Sequence, residues 1–158
     1  MLKKKMIAKK LILRYGADIL ASSGMQMEGT LIQHGSVSVL AHSIGVAYLC
    51  LMIVGFFHLR VDRRSMVRGA LLHDYFLYDW HERDASHRLH GFRHPKRALQ
   101  NAQRDFTLNE NEQNIIRRHM FPLTPIPPKT REGAIVCAAD KICALLETLS
   151  IPYGKDSQ

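Results

Sequence analysis

The chain has 158 residues, 46% of them hydrophobic and 23% charged, with a formal charge of +8. That balance excludes a disordered or low-complexity chain, and the length suffices for one sizeable core burying roughly two-thirds of the unfolded surface. The positive excess points toward an anionic partner.

No period-2 alternation is sustained anywhere, so the chain reads as all-α, with six helices near residues 3–22, 36–58, 63–77, 95–106, 108–120 and 131–150. The first interleaves Lys3, Lys4, Lys5, Lys9, Lys10 and Arg14 with Met6, Ile7, Leu11, Ile12 and Leu13, making a basic amphipathic helix. A solvated helix packed on the domain is preferred there over a membrane-surface or nucleic-acid contact. A signal peptide fits badly, because Lys9-Lys10 interrupts the apolar run. Residues 21–33 read as a flexible connection. His34, in Gln33-His34-Gly35, either caps the next helix or approaches a site, and the sequence leaves this open.

From Val39 to Phe57 the second helix carries no formal charge. Its length and composition suit a membrane span, but there is no second span, and a central helix of an all-α core is also apolar all round. Within it, His42 shares a face with Val39 and Val46. The third helix holds Leu71-Leu72-His73-Asp74 followed by Tyr75-Phe76-Leu77. An ionised carboxylate in such an apolar run costs several kcal/mol unless it is paired or binds a cation. The nearest upstream cation, Arg68, is more than a turn away. An imidazole and a carboxylate side by side suit a transition-metal ion, and a buried His-Asp hydrogen bond is the structural alternative.

Residues 80–93 read as a polar loop bordering the site, and His58, His81 and His87 as surface residues. His94-Pro95 opens a helix whose inward stripe is Ala98, Ala102 and Phe106. Thr107-Leu108-Asn109-Glu110 has a capping-box pattern, and His119 follows Ile115 on one face. Pro122, Pro125, Pro127 and Pro128 make residues 121–129 a stiff extended connector. Asp140 is a lone carboxylate in Ile135-Val136-Cys137-Ala138-Ala139-Asp140, and residues 153–158 read as a loose tail. Cys50, Cys137 and Cys143 lie in apolar helices without CxxC spacing, which leads to the expectation of buried thiols in a reducing, cytoplasmic setting.

The ordered set H…HD…H…H…D, over residues 34–147, resembles the HD superfamily of metal-dependent phosphohydrolases. Its most specific elements are His42 followed by Val46-Ala47, Leu71-Leu72-His73-Asp74, His94-Pro95 followed by Ala98, and Ala139-Asp140-Lys141. The resemblance implies a helical bundle in one domain, residues 1–158, with the basic helix in 1–24 and a metal-binding core in 34–150. It further implies that His42, His73 and Asp140 hold one metal, His94 and His119 a second, and Asp74 bridges them. Two divalent transition-metal ions are expected, iron, manganese or zinc, since a nitrogen-rich set disfavours magnesium. Tyr75-Phe76-Leu77-Tyr78-Asp79 replaces the Gly and Lys that often follow the HD pair, and a paired histidine is reduced to His119-Met120. Both departures bear on the substrate.

The expected activity is hydrolysis of a nucleotide or other small phosphoester by an activated hydroxide. Lys96 and Arg97 are candidates for binding the substrate phosphate, with Lys141 and His90 beside Asp74 as catalytic candidates; a plain surface role competes for each. No nucleic-acid partner and no membrane contact are expected. The rival functions are a mixed-valent diiron oxygenase with the same ligands, and a nucleotide-binding module without catalysis. The full ligand set argues against the last.

Overall fold

The computed structural model of the protein describes residues 2–79, 90–149 and 151, and for Leu2 and His90 only the backbone. Among them run seven helices and one small hairpin: α1 (Leu2–Leu20), α2 (Ser23–Glu28), β1 (Ile32–His34), β2 (Val37–Ser38), α3 (Val39–Phe57), α4 (Arg63–Leu72), α5 (His90–Asp105), α6 (Glu110–Arg118) and α7 (Arg131–Thr148). The fold is the expected all-α bundle. The apolar helix α3 is its axis, flanked by α1, α4 and α7, while α6 closes against α4 and α7. By composition α3 could cross a membrane, and half of its apolar window is buried by the rest of the bundle.

The segment expected to be a flexible connection is ordered. Ser22 caps α2 by accepting from the Met25 N–H at 3.2 Å, and β1 pairs antiparallel with β2 across a turn in which Gly35 adopts φ +58°. Helix α1 packs by a stripe of Ala8, Ile12 and Ile19, one face of a 3.6-residue period. The buried Arg68 of α4 fastens it there, donating to Asp18 Oδ1 at 2.6 Å and to the Tyr15 carbonyl at 3.0 Å. The other side of Arg68 faces the buried Glu112 of α6 at 3.2 Å. Between α4 and α6 the helices approach closely at Gly69, where a Cβ would stand 2.7 Å from Ile115 Cγ2.

Several helix ends differ from the sequence reading. The third helix stops at Leu72 rather than 77, so His73 is the last, capping residue and Asp74 stands in the turn beyond it. The chain turns away through Leu77, whose φ is +59°. Helix α5 starts at His90, one turn earlier than Pro95 suggested, so residues 90–93 are helical rather than loop. The α6 capping box is built on Asn109 and Glu112, two residues along from the expected pattern. The loop and tail readings for residues 80–89 and 153–158, with His81 and His87, lie outside the described residues.

Candidate metal centre

Five helices or helix ends converge on one buried cluster. Ser38 caps α3 through the Ala41 N–H, which puts His42 in the first turn. His73 and His119 occupy equivalent places as the C-terminal caps of α4 and α6. His94 lies in the second turn of α5 and Asp140 in the middle of α7. All six side chains that the HD resemblance names are buried and stand together.

The ring orientations follow from hydrogen bonds on the outward nitrogens. His73 Nδ1 donates to the Ala70 carbonyl and His119 Nδ1 to the Ile116 carbonyl, each at 2.7 Å. His42 Nδ1 donates to the Glu147 carboxylate at 2.9 Å. With Nδ1 engaged on its outer side, each of these rings turns Nε2 into the cluster, the nitrogen a metal ion would take. His42 Nε2 lies 3.0 Å from Asp140 Oδ1 and 3.7 Å from Asp74 Oδ2. His73 Nε2 lies 3.3 Å from Asp74 Oδ2 and 3.4 Å from Asp140 Oδ1. The other Asp74 oxygen, Oδ1, lies 3.1 Å from His94 Nε2 and 3.4 Å from His119 Nε2. Two of the donor groups share Asp74, one of His42, His73, Asp74 and Asp140 and one of Asp74, His94 and His119, while a third, of His34, His42 and Glu147, lies on the Nδ1 side of His42.

A cation fits this arrangement. His73 Nε2 and Asp74 Oδ1 are buried and make no hydrogen bond, and an orphaned buried polar atom calls for an explanation such as an ion. The electrostatics agree. Burial opposes ionisation of Asp74, yet His73, His119 and His94 hold its pKa well below the usual carboxylate range. Burial likewise opposes charge on His42, but hydrogen bonds to Asp140 and Glu147 push it up to about 9. The carboxylates of this cavity draw positive charge inward.

The other candidates are placed differently. Lys141 is turned to the backbone, donating to the His119 carbonyl at 2.8 Å, with Asp140 Oδ2 4.0 Å away. It therefore braces α7 against the end of α6. Lys96 and Arg97 are exposed on α5, and the Arg97 guanidinium sits 5.8 Å from the centre of the Tyr78 ring. The Tyr78 ring packs on Phe76, which packs on His94. The His90 side chain lies outside the described residues. The His34 ring stands 5.5 Å from His42, edge to face, so it approaches the site rather than capping α3.

Three polar residues at the cluster escaped the sequence reading. Glu147 lies two helical turns after Asp140 on α7, and that i, i+7 spacing was the signal that could have found it. Gln33, on β1, donates its amide to Asp74 Oδ2, while its own Oε1 is buried without a partner. Glu28, closing α2, is fully buried and accepts from the Leu77 N–H at 2.9 Å; burial raises its pKa to about 8.

A family model described as HD domain matches residues 39–145, about two-thirds of the chain. The chain belongs to the HD domain family. HD domains bind divalent metals, and most of the superfamily are metal-dependent hydrolases. In this HD domain the pair of the name is His73-Asp74, and the match spans all six clustered residues from His42 to Asp140. Comparison with curated proteins and with solved structures returned no match.

Proposed function

We propose that this HD domain hydrolyses a phosphoester bond in a nucleotide or another small phosphorylated molecule, using two divalent transition-metal ions. The observation that carries the reading is the sharing of Asp74 between the two donor groups. His42, His73 and Asp140 would hold one ion, His94 and His119 the other, and Asp74 would serve both. Bound there, the ions supply Lewis acidity toward phosphoryl oxygens and acidify water to a nucleophile near neutral pH.

The remaining work falls to the side chains around the ligands. Glu147 fixes the His42 ring with Nε2 inward, and the Gln33 amide steadies Asp74 Oδ2. Phosphoryl transfer depends mainly on positioning and charge stabilisation. Arg97 and Lys96, next along α5 from His94 and Pro95, supply positive charge for the substrate phosphate. His90 serves as the proton donor to the leaving oxygen. Lys141 acts by holding the His119 carbonyl rather than by touching substrate.

The test is elemental mass spectrometry on protein purified without chelator or His-tag, followed by phosphate release from a panel of nucleotides and simple phosphomonoesters. About two metal equivalents per chain and metal-dependent phosphate release are expected. A chain that takes up no metal overturns the reading. So does one that takes up iron and consumes dioxygen without releasing phosphate.

A further inference from the structure

At the end of the bundle remote from the metal centre, α1 and the close of α3 expose an apolar surface set in basic charge. His42 is in the first turn of α3 and Phe56-Phe57 end it, which at 1.5 Å per residue separates them by about 20 Å. Phe56 and Phe57 are 69% and 63% exposed, and their rings pack edge to face on each other. Lys4 donates to the Gly55 carbonyl at 3.3 Å, so the start of α1 lies against this end of α3. Between them a groove of about 200 Å³ runs along Ile7, Leu11, Met52 and Gly55, with Lys4 and Arg63 also lining it.

The charge around this surface is predominantly positive. The first seventeen residues contain five lysines and an arginine and no acid. Arg60 and Arg63 follow Phe57, while the neighbouring Asp62 is committed to capping α4 through Ser65. Helix α1 thus does two things. Its Ala8–Ile12–Ile19 stripe packs on the bundle, and its opposite stripe exposes Met6, Ile7 and Leu13 among Lys3, Lys10 and Arg14. Aromatic and aliphatic side chains ringed by Lys and Arg are the pattern of a segment lying in a lipid–water interface. A second copy would bring like charge against like charge. A nucleic acid would leave the aliphatic side chains wet against phosphates.

We propose that this surface, formed by the start of α1 and the end of α3, docks the protein on an anionic phospholipid bilayer. The sequence alone favoured the packed reading of α1 and no membrane contact; the structure has the packing and a second, uncovered stripe besides. Docked this way, the opposite end of the bundle, with His42 and His73, faces away from the lipid. The inference is independent of the hydrolase reading.

The test is flotation of the full chain with phosphatidylcholine vesicles and with vesicles also containing phosphatidylglycerol. Binding to the anionic vesicles alone, weakening as salt rises, is expected. Lys3→Gln with Arg60→Gln should weaken it about fivefold per charge. Phe56→Ser with Phe57→Ser replaces surface residues, and should abolish binding while helical content and metal uptake stay unchanged. Failure to bind anionic vesicles overturns the proposal, as does binding indifferent to the Phe replacements, which would mark a purely electrostatic surface open to nucleic acid. Self-association in solution that the same Phe replacements abolish also overturns it, because a second copy would then be the occupant.

Discussion

At the scale of single residues, the metal centre announces itself by carboxylates set in apolar runs. Asp74 and Asp140 were legible in the sequence because each interrupts such a run, Asp74 with no cation within a turn of it, and the four histidines because each falls on an inward helical face. Glu147 was not legible, because an acid in the last turns of a helix reads as solvated; only the fold turns it onto His42. Gln33 sits in a segment with no helical period to read. Asp74→Ala should lower metal content from about two equivalents to nearly none, whereas His119→Ala should keep the site of His42, His73 and Asp140 and lose turnover. Both are read by elemental analysis beside phosphate release, and wild-type rates in both would remove the assignment. Glu147→Ala should weaken metal affinity by roughly 10–100-fold, with Glu147→Gln restoring part of it by keeping an acceptor for His42 Nδ1. Equal affinity in the two variants would mean that Glu147 only fills space.

Glu28 gives a residue-level prediction about pH. Its pKa is about 8 in the folded chain against an ordinary 4.5, so the folded state holds a proton that the unfolded state has released. Its contribution is fully present below 4.5 and is lost as pH rises through 8, which makes stability fall over that window. The gap converts to roughly 5 kcal/mol. Glu28→Gln, neutral throughout, should therefore become progressively more stable relative to wild type from pH 4.5 to 8. Urea denaturation of chelated protein at several pH values measures it, and parallel stability curves would refute the buried neutral Glu28.

At the scale of elements, the ligands sit where helices begin and end. His42 follows the cap of α3, while His73 and His119 are themselves caps, with Nδ1 bound to a carbonyl three residues back. The sequence located these helices but ran the third on to residue 77, since Tyr75-Phe76-Leu77 is as apolar as the helix before it. Beyond the actual stop the backbone finds distant partners, the Tyr75 and Phe76 carbonyls accepting from Asn101 and the Leu77 N–H donating to Glu28, a tertiary effect that no local pattern encodes. The lengths of α4 and α6 set where His73 and His119 arrive, so what locks α4 to its neighbours bears on the site. Arg68 does this, joining Asp18 and the Tyr15 carbonyl of α1 to Glu112 of α6. Removing one partner of a buried ion pair costs about 3–5 kcal/mol. Arg68→Leu should fall in that range by urea denaturation. Arg64→Leu, whose side chain meets the same Glu112 from a 54% exposed position, should cost under about 1 kcal/mol. Similar losses in the two variants would mean that burial does not set the strength of this network.

For the whole molecule, the six clustered side chains come from five places in the chain, so a metal bound among them ties α3, α4, α5, α6 and α7 into one unit. The same buried cluster draws positive charge, because burial opposes ionisation of Asp74 and Asp140 and yet the surrounding histidines hold both carboxyls well below the usual range. An ion that binds the folded chain and not the unfolded one stabilises it by mass action, about 4 kcal/mol at a thousandfold excess over Kd. At roughly 2–4 °C per kcal/mol for a chain of this size, chelation should lower Tm by about 8–16 °C. Manganese or zinc added back should restore Tm, and in Asp74→Ala neither chelator nor metal should move it. If chelation leaves the wild-type Tm unchanged, the helix ends are held by the apolar core and Arg68 alone, and the donor cluster is a hydrogen-bonded polar core rather than a metal site.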